Sequence, residues 1–228
     1  MSAMQKTFNT WIAFLLLFSV SSCKKQGGTN SPADSGDYQP LTVGSQWTYT
    51  VTGSNAGTFT FSVVNKDSTI NGRNYKVIAN TAGSNEYVHK SGGDYYRYNP
   101  VVELNNQVVE LLYLKDNLAK GQSWTEVKTI NATITGLGLV PITATLVCTI
   151  EEKGIDYVVN GVTFKDVIKV TVNPSFTAFG ASVPVNSSDL QYYYSRNVGL
   201  IYSKTSLVIS LASVNSSSET KLGSYTIK

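Results

Sequence analysis

Few side chains in this chain could do chemistry, and they are scattered. Its 228 residues include one histidine and two cysteines. His89 sits in "EYVHKSGG", a strand-like stretch beside a turn, and reads as an exposed strand residue before it reads as a base. A single histidine excludes a multi-histidine zinc site. Cys148 lies in the alternating run "TATLVCTIEE" and reads as a small buried hydrophobe, not a nucleophile. Glu151, Glu152 and Asp156 surround Gly154. Adjacent strand residues point to opposite faces, so Glu151 and Glu152 do not face each other, and a solvated hairpin end is the expectation. Glycoside hydrolysis needs two facing carboxylates, which sequence does not display. Nucleophile elbow, zinc-helix and phosphate-loop motifs are missing. No catalytic residue, metal ligand or cofactor is assigned. The net charge is +3, with lysines too dispersed to form a nucleic-acid footprint.

The N-terminal segment carries an address. Lys6 precedes "WIAFLLLFSV", Trp11 to Val20, an uncharged apolar core. This is shorter than the roughly 20 residues that span a bilayer. A charged start, a short apolar core and a small-residue exit describe a secretory signal. Val20-Ser21-Ser22-Cys23 resembles the bacterial lipobox. The resemblance implies that residues 1–22 are removed and that Cys23 is acylated and anchored in a membrane. Several acyl chains hold where one would be marginal. The following "CKKQGGTN" lacks the acids that send some such lipoproteins to the cell surface, which favours the periplasmic face of the outer membrane. Residues 23–39 are polar and read as a flexible tether.

From Leu41 onward the apolar residues alternate. "QWTYTV" places Trp47, Tyr49 and Val51 on one face; "TFTFSVV" does the same with Phe59, Phe61 and Val63. Period two in Thr, Val, Tyr and Phe marks half-buried strands. One helical turn fits only Tyr113–Gln122. Asn71-Gly72 and Asn160-Gly161 each separate two β-like runs and suit a type I′ turn, which needs positive φ at both central residues. Ser91-Gly92-Gly93 and Asn105-Asn106 are two further turns. The expectation is an all-β antiparallel meander of about a dozen strands over residues 40–228, forming a curved sheet, half-barrel or sandwich.

Order and spacing also suggest two repeats, 40–113 and 114–228. "LTVGSQWTYTV" parallels "LAKGQSWTEVK", matching Gly44 to Gly121 and Trp47 to Trp124. Each is followed by long strands and an Asn-Gly hairpin. If the halves correspond, both tryptophans should pack inward. The chain further resembles a group of uncharacterised secreted bacterial lipoproteins, through Pro40-Leu41, Gly44, Trp47 and Tyr49 at one end and Val198-Gly199-Leu200-Ile201 at the other. That resemblance implies a β-rich fold and transfers no catalytic residue.

Two nearly uncharged segments, Ile134–Ile142 and Ser175–Val185, are either bulged core strands or apolar loops at a cavity mouth or partner surface. In the second case they should lie together at one end of the sheet. A ligand there would be held by Leu137, Leu139, Phe176 and Phe179. The leading function is a non-catalytic, lipid-anchored binding or scaffold protein of the cell envelope, for an apolar or glycan ligand. The alternatives are a carboxylate-dependent hydrolase acting on carbohydrate and a structural component of envelope assembly. The lipobox gives the first test. Cells fed a labelled fatty acid should label the wild-type protein, and Cys23→Ser should lose both label and membrane fraction; equal labelling of the two rules the lipobox out.

Overall fold

In the computed structural model, residues 37–228 are described, apart from 55, 82 and 102–106. Residues 1–36, with the expected signal and Cys23, and the expected turn at Asn105-Asn106 lie outside the described residues. Among the described residues thirteen antiparallel strands form one sheet. They are β1 (Gln46–Gly53), β2 (Gly57–Ile70), β3 (Arg73–Asn80), β4 (Glu86–Ser91), β5 (Asp94–Val101), β6 (Gln107–Lys115), β7 (Ser123–Ile134), β8 (Gly138–Val159), β9 (Val162–Ala178), β10 (Ala181–Val183), β11 (Ser187–Ser195), β12 (Gly199–Ile209) and β13 (Val214–Thr226). The expected helical turn at Tyr113–Gln122 is strand followed by a turn without helix.

The strand order is β6-β5-β4-β3-β2-β1-β13-β12-β11-β9-β8-β7, with short β10 beside β9. Two meanders are thus zipped together by β1 and β13, where Gln46 pairs with Thr226 and Trp47 with Tyr225. The edges β6 and β7, consecutive in the chain, curl round to face each other. Among the described residues no backbone ladder joins them. Two side chains of β7 bridge the gap instead. The Trp124 indole donates to the Leu112 carbonyl at 2.9 Å, and the Glu126 carboxylate accepts from the Leu112 amide at 3.5 Å. The result is a nearly closed barrel.

The Asn-Gly turns form as expected. Asn71 and Gly72 have φ of 51° and 78°, and Asn160 and Gly161 have 50° and 79°, the values an I′ turn needs. The two Gly-x-x-Trp stretches also share a local geometry. The Gly44 amide donates to Val63 O and the Ser45 carbonyl accepts from the Val63 amide; the Gly121 amide donates to Ile150 O and the Gln122 carbonyl accepts from the Ile150 amide. The tryptophans then diverge. Trp47 is 2% exposed, whereas Trp124 is half-buried because it lies on an edge strand at the seam.

Bulges shape the rest. Register shifts at Ile150/Glu152, Lys153/Ile155 and Ile155/Tyr157 bend the long β8–β9 hairpin, as extra residues do. Its end folds over the outer face of β11–β13. There Tyr157 stacks on Tyr193 at 4.2 Å, and the Asn160 side-chain Nδ2 donates to Leu222 O at 3.1 Å. The carboxylates around Gly154 therefore sit in the middle of β8, at a bend where Gly154 has φ +72°, and not at a hairpin end. At the far end, the β7–β8 turn meets the turn after β12 through Thr135 N and Leu211 O, over a core of Ile134, Ile142, Phe176, Leu207 and Ile209.

Trp47 closes the opposite end, reaching past β13 to donate its indole N–H to Val198 O at 2.6 Å. Trp47→Phe should cost about 1–3 kcal/mol by leaving that buried carbonyl unpaired. Trp47→Ala should cost about 3–5 kcal/mol, and Trp124→Ala clearly less. Urea unfolding of the three variants checks the order.

Candidate functional site

Inside the barrel is a cavity of about 360 Å3, within the usual size range of ligand pockets. Period two puts its walls in place. Trp47, Tyr49 and Val51 of β1 and Phe59 and Phe61 of β2 share the inward face, with Leu146 and Cys148 of β8, Val172 and Pro174 of β9, and Leu190 of β11. Burial pushes the Cys148 thiol up to about 12, so it is wall and not nucleophile.

The floor is built by the chain entering the domain. The expected tether ends earlier than residue 39, because Asp37–Gln39 are docked. Tyr38 is 1% exposed, and an aromatic ring in a polar stretch gains from such burial. Its amide donates to the Tyr95 hydroxyl at 3.2 Å, and its own hydroxyl donates to Asp166 at 3.3 Å. The Asn197 amide donates to Asp37 O at 2.6 Å. Gln39 and Trp47 line the cavity above this floor. Beneath, Tyr95 donates to Asp116 at 2.7 Å. Gly93 makes room for that carboxylate, since a Cβ there would lie 2.5 Å from it.

The charged groups lining the cavity are Glu86, Arg97 and Glu126, and each acid has a cation beside it. Glu86 of β4 lies 3.6 Å from Arg97 of β5, and Glu126 lies 2.9 Å from Lys128, both of β7. The Arg97 guanidinium sits over the Tyr113 ring, 4.8 Å from its centroid. Tyr113 is the extra residue of a bulge, since Tyr95 pairs with Leu114 and Tyr96 with Leu112. Tyr194 of β11 stands beside it at 5.6 Å. Burial pulls the Arg97 pKa down, but Glu86 outweighs that and leaves it raised. Burial raises the Tyr113 hydroxyl far above its ordinary value despite Arg97. At neutral pH both are donors.

The four residues expected to hold a ligand do not converge. Ile134–Ile142 and Ser175–Val185 do lie together at one end. Yet Leu137, Leu139 and Phe179 are 62%, 68% and 74% exposed on its outside, at or beside hairpin tips, while Phe176 is 2% exposed and lines the cavity. One residue of relative register separates the two outcomes, since alternate side chains take opposite faces. His89 is half-buried on the outer face, its Nδ1 bonded to Asn74 O at 2.8 Å and its ring against Tyr75 and Tyr96. The interior Glu86, Arg97, Tyr113 and Glu126 escape a sequence reading. Arg97 lies in "DYYRYNP", where tyrosines occupy both faces of the strand and hide the polar position. The available signal is its period-two spacing from inward Tyr95.

The chain matches no family model and no curated protein. Two crystal structures resemble it. A candidate lipoprotein from Parabacteroides distasonis ATCC 8503 aligns at a TM-score of 0.51 and 13% identity, covering 83% of this chain and 98% of its own. A candidate exported protein with a YmcC-like fold, from Bacteroides fragilis NCTC 9343, aligns at 0.41 and 10% identity over 82% of this chain and 97% of its own. At such identities the first likeness is one of fold.

The floor makes a pH prediction. Burial raises the Asp116 pKa, against the lowering effect of the Tyr95 hydrogen bond. The folded state therefore keeps this proton to higher pH than the unfolded chain. Its stabilising contribution is full below the unfolded value of about 4 and is lost as pH rises through the raised folded value. Asp116→Asn cannot ionise. Its urea-unfolding free energy relative to wild type should improve between pH 4 and pH 7, and a constant difference would contradict the assignment.

Proposed function

We propose that this chain is a non-catalytic, lipid-anchored protein of the cell envelope whose barrel interior binds an apolar ligand. The observation that carries the reading is the cavity itself. It is walled by Phe59, Phe61, Leu146, Val172 and Leu190, and a barrel with a filled core has no such space. An apolar ligand fits these walls better than a glycan, which asks for many hydrogen-bonding partners. The floor is occupied by Tyr38 and Gln39, so the ligand enters from the end away from the chain's entry, or through the seam between β6 and β7. Lipid anchoring rests on the lipobox-like Cys23, and the lipoprotein assignment of the Parabacteroides distasonis structure agrees with it.

A hydrolase would have to use Glu86 and Glu126, the two acids of the cavity. Each stands beside its own cation, Arg97 or Lys128, which suits charge balance better than proton transfer. The test is direct. The soluble domain should enhance the fluorescence of N-phenylnaphthylamine with saturable binding. Thr205, buried and cavity-lining, offers a block: Thr205→Phe should reduce the affinity at least tenfold while the β-sheet circular dichroism stays. Unchanged dye binding in that variant would place the dye elsewhere and defeat the reading.

A further inference from the structure

The apolar cavity holds a permanent cation whose Nε the fold leaves without a hydrogen-bond partner. Arg97 has five N–H donors and stays protonated under all ordinary conditions. Its ion-pair partner Glu86 keeps Oε2 3.6 Å from Nε, beyond hydrogen-bonding range, and Tyr113 stands beside it. Arg97 Nε and the Tyr113 hydroxyl are both enclosed and lack a hydrogen-bond partner. Arg97 lines the cavity, with 24% of its side chain exposed. A buried charge in this condition is costly, and unsatisfied buried donors are rare in native proteins. Structural need does not account for it, because Glu86 neither chelates the guanidinium nor approaches it in the two-bond arrangement that such pairs favour.

Resting on the reading of the cavity as an apolar ligand site, we infer that its ligand is a single-chain amphiphile with a carboxylate head, bound by Arg97 and Tyr113. The planar guanidinium fork matches the two oxygens of a carboxylate, and the Tyr113 hydroxyl is a further donor beside it. The bulge at Tyr113 is what brings that hydroxyl to the same side as Arg97. The hydrocarbon chain lies along Phe59, Phe61, Leu146, Val172 and Leu190. Glu86 moderates the site. Its negative charge weakens the hold on an anion and keeps the empty pocket near neutral.

Dodecanoate, dodecanol and dodecylamine, which share one chain and differ in head, separate the alternatives by displacement of N-phenylnaphthylamine at pH 8. Dodecanoate should bind at least tenfold more tightly than dodecanol, and dodecylamine most weakly. Arg97→Met should abolish the preference while dodecanol binding survives. Glu86→Gln should strengthen dodecanoate severalfold and leave dodecanol unchanged, a gain that a general loss of packing cannot imitate. If Arg97→Met does not fold, Arg97→Lys keeps the charge, loses the fork and should narrow the preference. Equal binding of dodecanoate and dodecanol by the wild type overturns the carboxylate assignment and leaves the apolar cavity standing. Failure of all three to displace the dye removes the cavity reading, and the carboxylate assignment with it.

Discussion

Two hydrogen bonds from one strand hold the closed end of this molecule. Trp47 donates to Val198 O and Tyr49 donates to Leu200 O, at 2.6 and 2.9 Å. They join the first strand to the turn and strand that lead out of β11. Without them the β1–β13 ladder would still form, but the end of the barrel would be open and the entering Tyr38 would have no bed. Gly199 sits at this junction with φ +103°, its hydrogens facing Trp47, Tyr38 and Gln39. The residues that resemble an opening and a closing motif in sequence, some 150 positions apart, are thus the two sides of one contact. Closing the floor with aromatic rings leaves the interior above it free of obligatory packing, and that freedom is the cavity.

The same economy governs the ring's circumference. A sheet with free edges presents unpaired N–H and C=O groups to any other strand. Here the edges lie against each other, and Trp124 and Glu126 occupy the Leu112 backbone groups that a foreign strand would seek. Glu126 therefore protects an edge as well as lining the interior. The outer face is managed differently. The bent β8–β9 hairpin covers Tyr193 and Tyr202 of β11 and β12, so that strands with apolar residues on both faces are covered on both. This double burial explains why segments such as "QYYYSRNVGLIYS" show little clean alternation.

Much of this architecture is legible in the sequence, because it rests on local rules. Asn-Gly at 71–72 and 160–161 dictates two hairpins through φ alone, and the alternation through Trp47, Tyr49, Phe59 and Phe61 identifies a shared inward face. What fails to show is anything set by register over distance. Tyr38 looks like part of a polar tether, since its partners Tyr95 and Asp166 are 57 and 128 residues away. Gly154 looks like a turn, and only the bulges around it reveal a bend within a single strand. Leu139 and Phe176 look alike as apolar strand residues, yet one is in solvent and the other inside. Arg97 is the strongest case. Its significance comes from an Nε that finds no hydrogen-bond partner beside Glu86, and a missing bond has no sequence signature.

The pairing of β1 with β13 also sets an order of events. Trp47 finds its cross-strand neighbour Tyr225 almost at the other end of the described chain. Ladders between distant segments carry a large loop-closure entropy and form slowly. Each meander can assemble as hairpins on its own, but neither has a floor until β13 arrives to join them. A growing chain therefore holds Trp47, Tyr49 and their neighbours unsatisfied until β13 is delivered. Formation of the β1–β13 ladder, not any local element, therefore completes the floor.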